Sequence, residues 1–170
     1  MKLLKILLII VIASGCKSDP TEGFKDVTPV VDLEESMIQH QRALLKRDSM
    51  KIEQFLEKQE WNPVHSGTGL RYEVYYTTEL DSIESGAQVF LDYTITNLAQ
   101  DTLYTSRKSG VMSIVVDYSQ AETGLHELLK HMKLGESARA VIPAHLAHGL
   151  VGDDYKIPPS TSLVFDLTVL

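Results

Sequence analysis

The hydrophobic and polar positions of this chain follow two periods. Between Asp32 and Glu60, Ile38, Leu45 and Ile52 recur every seven residues, flanked by Met37, Leu44, Phe55 and Leu56. That spacing draws an apolar stripe along one side of a charged helix. Asp32 stands where an N-cap is expected, and Glu34 and Glu35 fall in the first turn, where the helix dipole favours carboxylates. No Gly or Pro interrupts before Pro63, although a break near Asp48 and Ser49 into two shorter helices is the alternative. From Leu70 the period falls to two. Leu70–Thr77 is rich in Tyr and Val; Val89, Leu91, Tyr93 and Ile95 alternate with Asp92, Thr94 and Thr96. Val111–Tyr118 and Ser137–Ile142 also read as strands. At the end, Leu163, Phe165, Leu167 and Val169 alternate with Val164, Asp166 and Thr168. Such alternation marks half-buried strands. Pro158 and Pro159 cannot donate to a ladder and mark the loop entering the last one. Thr123 and Gly124 open a helix to about Met132, ended by Gly135. Trp61–Gly69 reads as a loop and the polar Asn97–Ser109 as a connection. The class is α+β, an antiparallel sheet wrapped around one helix and preceded by an N-terminal helical arm.

Composition narrows the function classes. The 170 residues suffice for one domain with attachments. The net charge is −7, and Lys and Arg are spread rather than gathered in a basic stripe, which argues against nucleic acid. The sole cysteine, Cys16, follows Lys2 and Lys5, an apolar run Ile6–Ala13, then Ser14 and Gly15. This is a secretory signal by composition, too short to span a bilayer comfortably. Ala13-Ser14-Gly15-Cys16 resembles a bacterial lipobox, with Ala13 where Leu is commoner. Residues 1–15 are therefore expected to be a lipoprotein signal peptide, Cys16 the lipidated residue, and 16–31 a flexible tether. Residues 32–62 form the helical arm. An ordinary signal peptide with an incidental cysteine, or an uncleaved anchor, is the plainer alternative.

The chemistry enters with three motifs in one order: GLHELLKHMKLGE from Gly124, IPAHLAHG from Ile142, and IPPSTSLVFD from Ile157. Together with FLDYT around Tyr93 they resemble the FKBP-type peptidyl-prolyl cis-trans isomerases, over residues 67–170. The resemblance implies the FKBP fold and catalysis of X-Pro rotation without cofactor, metal or nucleophile. It implies Tyr93, Tyr104, His148 and Phe165 as catalytic positions. Met112 or Ile114, with Leu125 and Ile157, would complete the substrate-binding walls. Three departures stand out. Leu125 takes the place of the tryptophan floor, Thr105 that of an aspartate, and His148 that of a tyrosine whose hydroxyl bonds the substrate carbonyl. A histidine ring can still donate a hydrogen bond, so reduced but real activity is expected. Tyr93, Ile157 and Phe165 also read simply as core, and the two readings coexist because such a pocket is the open side of a core. His145 and His148 are spaced like a ligand pair, with His126 and His131 upstream, but no carboxylate or thiolate completes a metal set.

The arm is similar to that of lipoprotein FKBPs from gliding-type bacteria, which are linked to motility or secretion machinery. The expectation is thus a lipid-anchored envelope protein with its domain exposed to the periplasm or cell surface, acting on proline-containing exported clients. The arm is read as packed on its own sheet domain, with homodimer or partner contact as the alternative. A non-catalytic binding or assembly module of an envelope complex is the rival reading.

Overall fold

The computed structural model describes residues 30–170. The signal peptide, Cys16 and all but the end of the tether lie outside the described residues. Helix α1 runs Val30–Leu56, beginning at Val30 rather than Asp32 and continuing unbroken through Asp48 and Ser49. From His40 onward the helix belongs to the same compact unit as the sheet, His40–Leu170.

The sheet has seven antiparallel strands. They are β1 (Val64–His65), β2 (Arg71–Tyr76), β3 (Gln88–Asn97), β4 (Thr102–Thr105), β5 (Met112–Val115), β6 (Ser137–Ile142) and β7 (Leu163–Val169). The order is β1-β2-β6-β7-β3-β4, with β5 also on β3. The long β3 serves two partners on one edge: Gln88–Leu91 pairs with β5 and Thr94–Thr96 with β4. Two segments differ from the sequence reading. Asn97–Ser109 is not a plain connection but a hairpin into β4 followed by the short α2 (Ser106–Ser109). Its turn is built by Asn97, whose Oδ1 accepts the N–H of Ala99 and Asp101, so polar residues here make structure through side chain to backbone bonds. The loop before β2 also holds the brief β1. Helix α3 spans Thr123–Leu129, shorter than expected.

Alternation sorts the residues into two layers. Leu91, Tyr93 and Ile95 of β3, Ala138, Ala140 and Ile142 of β6, and Leu163, Phe165, Leu167 and Val169 of β7 pack with Leu125, Leu128 and Leu129 of α3. Gly124 lets α3 approach, because a Cβ there would run into the Ile142 side chain. On the opposite face Val141 and Val164 meet Ile52, Phe55 and Leu56 of α1. Each such side chain contributes about 1.5–3 kcal/mol when fully buried. Polar ties flank this contact. Asp48 accepts from the Ser162 hydroxyl at 2.7 Å and the Ala144 N–H at 3.2 Å, and Glu53 pairs with Arg71 at 2.7 Å. Within this unit the arm therefore packs on its own sheet, as the preferred sequence reading has it. Among the described residues, no helix is long and apolar enough to cross a membrane.

Candidate functional site

At one end of the sheet β6 stops at Pro143, and a long loop returns to β7. Tyr93, Ile114, Leu125, Ile157 and Phe165 share one buried cluster, and Tyr104 and Met112 pack against it. Register explains the gathering. Ile95 faces Phe165 and Tyr93 faces Leu167 across β3 and β7, while Met112 pairs Leu91 and Ile114 pairs Val89. Met112 and Ile114 differ in depth: Ile114 is sealed in the core, and Met112 is half-buried at its margin. Phe165 is 1% exposed and Tyr93 7%, so both are core side chains. Beside the cluster lies a cavity of about 300 Å³ lined by Gln120, Ala121, Glu122, Ala147 and His148. It does not reach Tyr93, Ile157 or Phe165, but Ala121 and Ala147 both pack against their cluster. Two larger cavities, about 390 and 420 Å³, lie along α1, away from this cluster.

The loop that carries Ile157 is held by a residue the sequence reading missed. Asp153 Oδ1 accepts the N–H groups of Tyr155, Lys156 and Ile157 at 3.0, 2.8 and 2.6 Å, and Oδ2 accepts the Tyr104 hydroxyl. Burial pushes the Asp153 carboxyl up, but the Tyr104 hydroxyl and the three N–H donors outweigh it and hold the group well below the usual carboxylate range. The same bond, then burial, raises the Tyr104 phenol to about 12. Lys156 lays its ammonium 4.6 Å from the Tyr104 ring centroid, clamping the ring from a second side. Thr105 brings no carboxylate to this edge; Asp153 supplies one to Tyr104 from a different segment. The available signal was the Gly152-Asp153 pair, a turn sequence in which Asp bonds the backbone beyond it. Gly152 has φ +78°, and a Cβ there would collide with the Ile157 carbonyl oxygen.

His148 stands at the margin, its Nε2 3.0 Å from Glu122 Oε1 at the start of α3. Three other histidines have separate work. The Asp117 N–H donates to His126 Nδ1 and His126 Nε2 donates to the Ser119 carbonyl, bracing the turn before α3. His131 stacks on Tyr72 with centroids 5.0 Å apart, and His145 Nε2 donates to the Thr68 carbonyl. Among the described residues, no three His, Cys, Asp or Glu side chains come together as metal ligands.

The family model for the FKBP-type peptidyl-prolyl cis-trans isomerases matches residues 80–170, more than half of the chain. The chain belongs to this family of enzymes. Among curated relatives, peptidyl-prolyl cis-trans isomerase FKBP9 of Rattus norvegicus is 38% identical over 58 residues, covering 34% of this chain and 10% of that protein. Peptidyl-prolyl cis-trans isomerase FKBP10 of Mus musculus is 35% identical over 63 residues, covering 37% of this chain and 11% of that one. The match thus spans about a tenth of the length of these relatives. Among solved structures, FkpA from Escherichia coli superposes with a TM-score of 0.62 at 26% identity, over 82% of this chain and 68% of that one. A peptidyl-prolyl cis-trans isomerase from Pseudomonas syringae shares the fold with a TM-score of 0.64 at 21% identity, covering 76% and 92%. The FKBP fold expected from the three motifs is the fold observed.

Proposed function

We propose that this chain is a peptidyl-prolyl cis-trans isomerase that takes X-Pro segments of exported proteins into the apolar hollow between β3, β4, α3 and β7. The observation that carries this is the convergence of Tyr93, Tyr104, Ile157 and Phe165 from four separate segments into one apolar cluster, beside a cavity edged by Ala147 and His148. Rotation about a peptide bond breaks amide resonance against a barrier of about 18–20 kcal/mol. A site accelerates it by binding the twisted amide better than either planar form. Apolar walls serve that end, because the twisted amide has lost the charge separation that water stabilises in the planar one. Leu125 leaves this floor smaller than a tryptophan would, and His148 replaces a hydroxyl donor, so the rate is expected to be lower than that of family members with both. We place the protein in the bacterial envelope, held by lipidated Cys16 with its domain facing the periplasm or cell surface. The arm offers a contact for a second copy or another envelope protein.

A protease-coupled assay with a proline-containing chromogenic peptide tests the enzymatic reading. Catalysed cis-to-trans conversion by the full chain, lowered by Phe165→Leu with the circular dichroism spectrum unchanged, supports it. A specific observation favours a second reading: Leu125, Phe165 and Ile157 are 0%, 1% and 4% exposed, leaving little open floor for a proline ring. Peptide binding without turnover would make the chain a binding module instead.

A further inference from the structure

We infer that Glu122 is the positioning residue for the hydrogen-bond donor at the mouth of this hollow, and that the donor is His148 in its protonated form. The inference rests on the isomerase reading above and names the group that would hold the substrate carbonyl.

The argument is one of hydrogen count. An ionised carboxylate only accepts, so at 3.0 Å from Glu122 Oε1 it is His148 Nε2 that carries the hydrogen. In a neutral imidazole the other nitrogen, Nδ1, is then a bare lone pair. A lone pair facing a substrate carbonyl repels it. Uptake of a proton places a hydrogen on Nδ1 while Nε2–H stays on Glu122, and only then does the ring have a donor to spare. A tyrosine at this position would offer its O–H at any pH below the titration of the phenol. The replacement by histidine, with its first nitrogen committed to Glu122, ties donation to protonation.

Glu122 is well placed for this. Its carbonyl accepts the N–H of Leu125 and His126 at 2.9 and 3.2 Å, so its backbone is fixed by the first turn of α3. Its side chain is 11% exposed and that of His148 31%, which screens the pair less than a surface pair would be. The carboxylate also matches the charge that the ring gains, strengthening the bond as the proton arrives. Asp154 of the return loop is exposed to solvent, and several other charged groups on neighbouring elements are engaged elsewhere. On the return loop Asp153 is bound to Tyr104 and three backbone N–H groups, and Lys156 lies on the Tyr104 ring. His145 bonds Thr68, while Asp117 and Lys130 pair at 3.0 Å around α3. The cavity adds only neutral Gln120, Ala121 and Ala147.

The experiment is exchange NMR on a short prolyl peptide with the full chain, across about pH 5.5 to 8, the span in which imidazoles ordinarily titrate. The expected result is kcat/KM about tenfold higher at the acid end, the size of one hydrogen bond to a charged donor. His148→Tyr should flatten the profile and raise turnover at the basic end. Glu122→Gln keeps an acceptor for Nε2–H but removes the matching charge, and should lower kcat/KM at the acid end. Long-range ¹H–¹⁵N spectra of the histidines should show the Nε2–H tautomer for neutral His148. Turnover that is present but pH-independent in the wild type, or an Nδ1–H tautomer, overturns the role of Glu122 and leaves the isomerase reading standing. No turnover at any pH in either the wild type or His148→Tyr overturns the isomerase reading and this inference with it.

Discussion

The two faces of this sheet are made by the same strands yet do different work. The inner face buries nearly every second residue of β3, β6 and β7 under α3. On the outer face Val141 and Val164 are buried under α1, whereas Phe90 of β3 stays exposed. Polar ties run beside that patch: Arg139 pairs with Glu73 at 2.8 Å, and the Tyr75 hydroxyl donates to Asp166 at 2.8 Å. Under the proposed isomerase function an inner-face side chain would serve both core and site, coupling stability to turnover. On the outer face the two would be separable. That separation is the testable content of the comparison.

The largest effect should come from the inner face. Phe165→Ala is expected to cost about 3–5 kcal/mol in urea unfolding, because it empties a fully buried aromatic site. Ile52→Ala on the outer face should cost about 2–4 kcal/mol yet leave kcat/KM per folded molecule unchanged. A loss of turnover in that variant would break the comparison. Gly152→Ala should cost about 1–3 kcal/mol from its positive φ alone, raise KM, and speed hydrogen exchange at the amides of Tyr155, Lys156 and Ile157, which Asp153 holds.

Smaller effects sharpen the picture. Tyr104→Phe should cost about 1 kcal/mol near neutral pH. The Tyr104 phenol is raised to about 12, so its contribution is complete below the unfolded value of about 10 and is lost as pH rises towards 12. Urea midpoints of wild type and Tyr104→Phe should therefore converge over that alkaline range. Asp153 has the opposite sign: its depressed carboxyl stabilises above about pH 4, and that contribution disappears only in stronger acid. Leu45→Ala, one heptad before Ile52 and 46% exposed, should change stability by no more than about 0.5 kcal/mol. A larger cost would mean that Leu45 is covered by another molecule.

Much of the inner face could be read before any coordinates. The alternation at Val89–Ile95 and Leu163–Val169 assigned those residues to one side, and the motifs around Gly124, Ile142 and Ile157 pointed to the FKBP fold. The heptad at Leu45 and Ile52 was legible as a stripe, but its split fate was not, because only the second of the two meets the apolar patch at Val141 and Val164. The hairpin into β4 was hidden for another reason: a short edge strand needs no apolar run, and its turn rests on Asn97 bonds rather than periodicity.

Order along the chain thus decided which side of each helix or strand a residue takes, since the repeat of a helix or strand is local geometry. Distance in space was settled only by closure of the fold. Asp153 reaches Tyr104, and Glu122 reaches His148, because antiparallel pairing and the long return loop bring remote segments together at one end of the sheet. No repeat in the sequence encodes such a meeting, for it depends on register and loop path summed over the whole sheet.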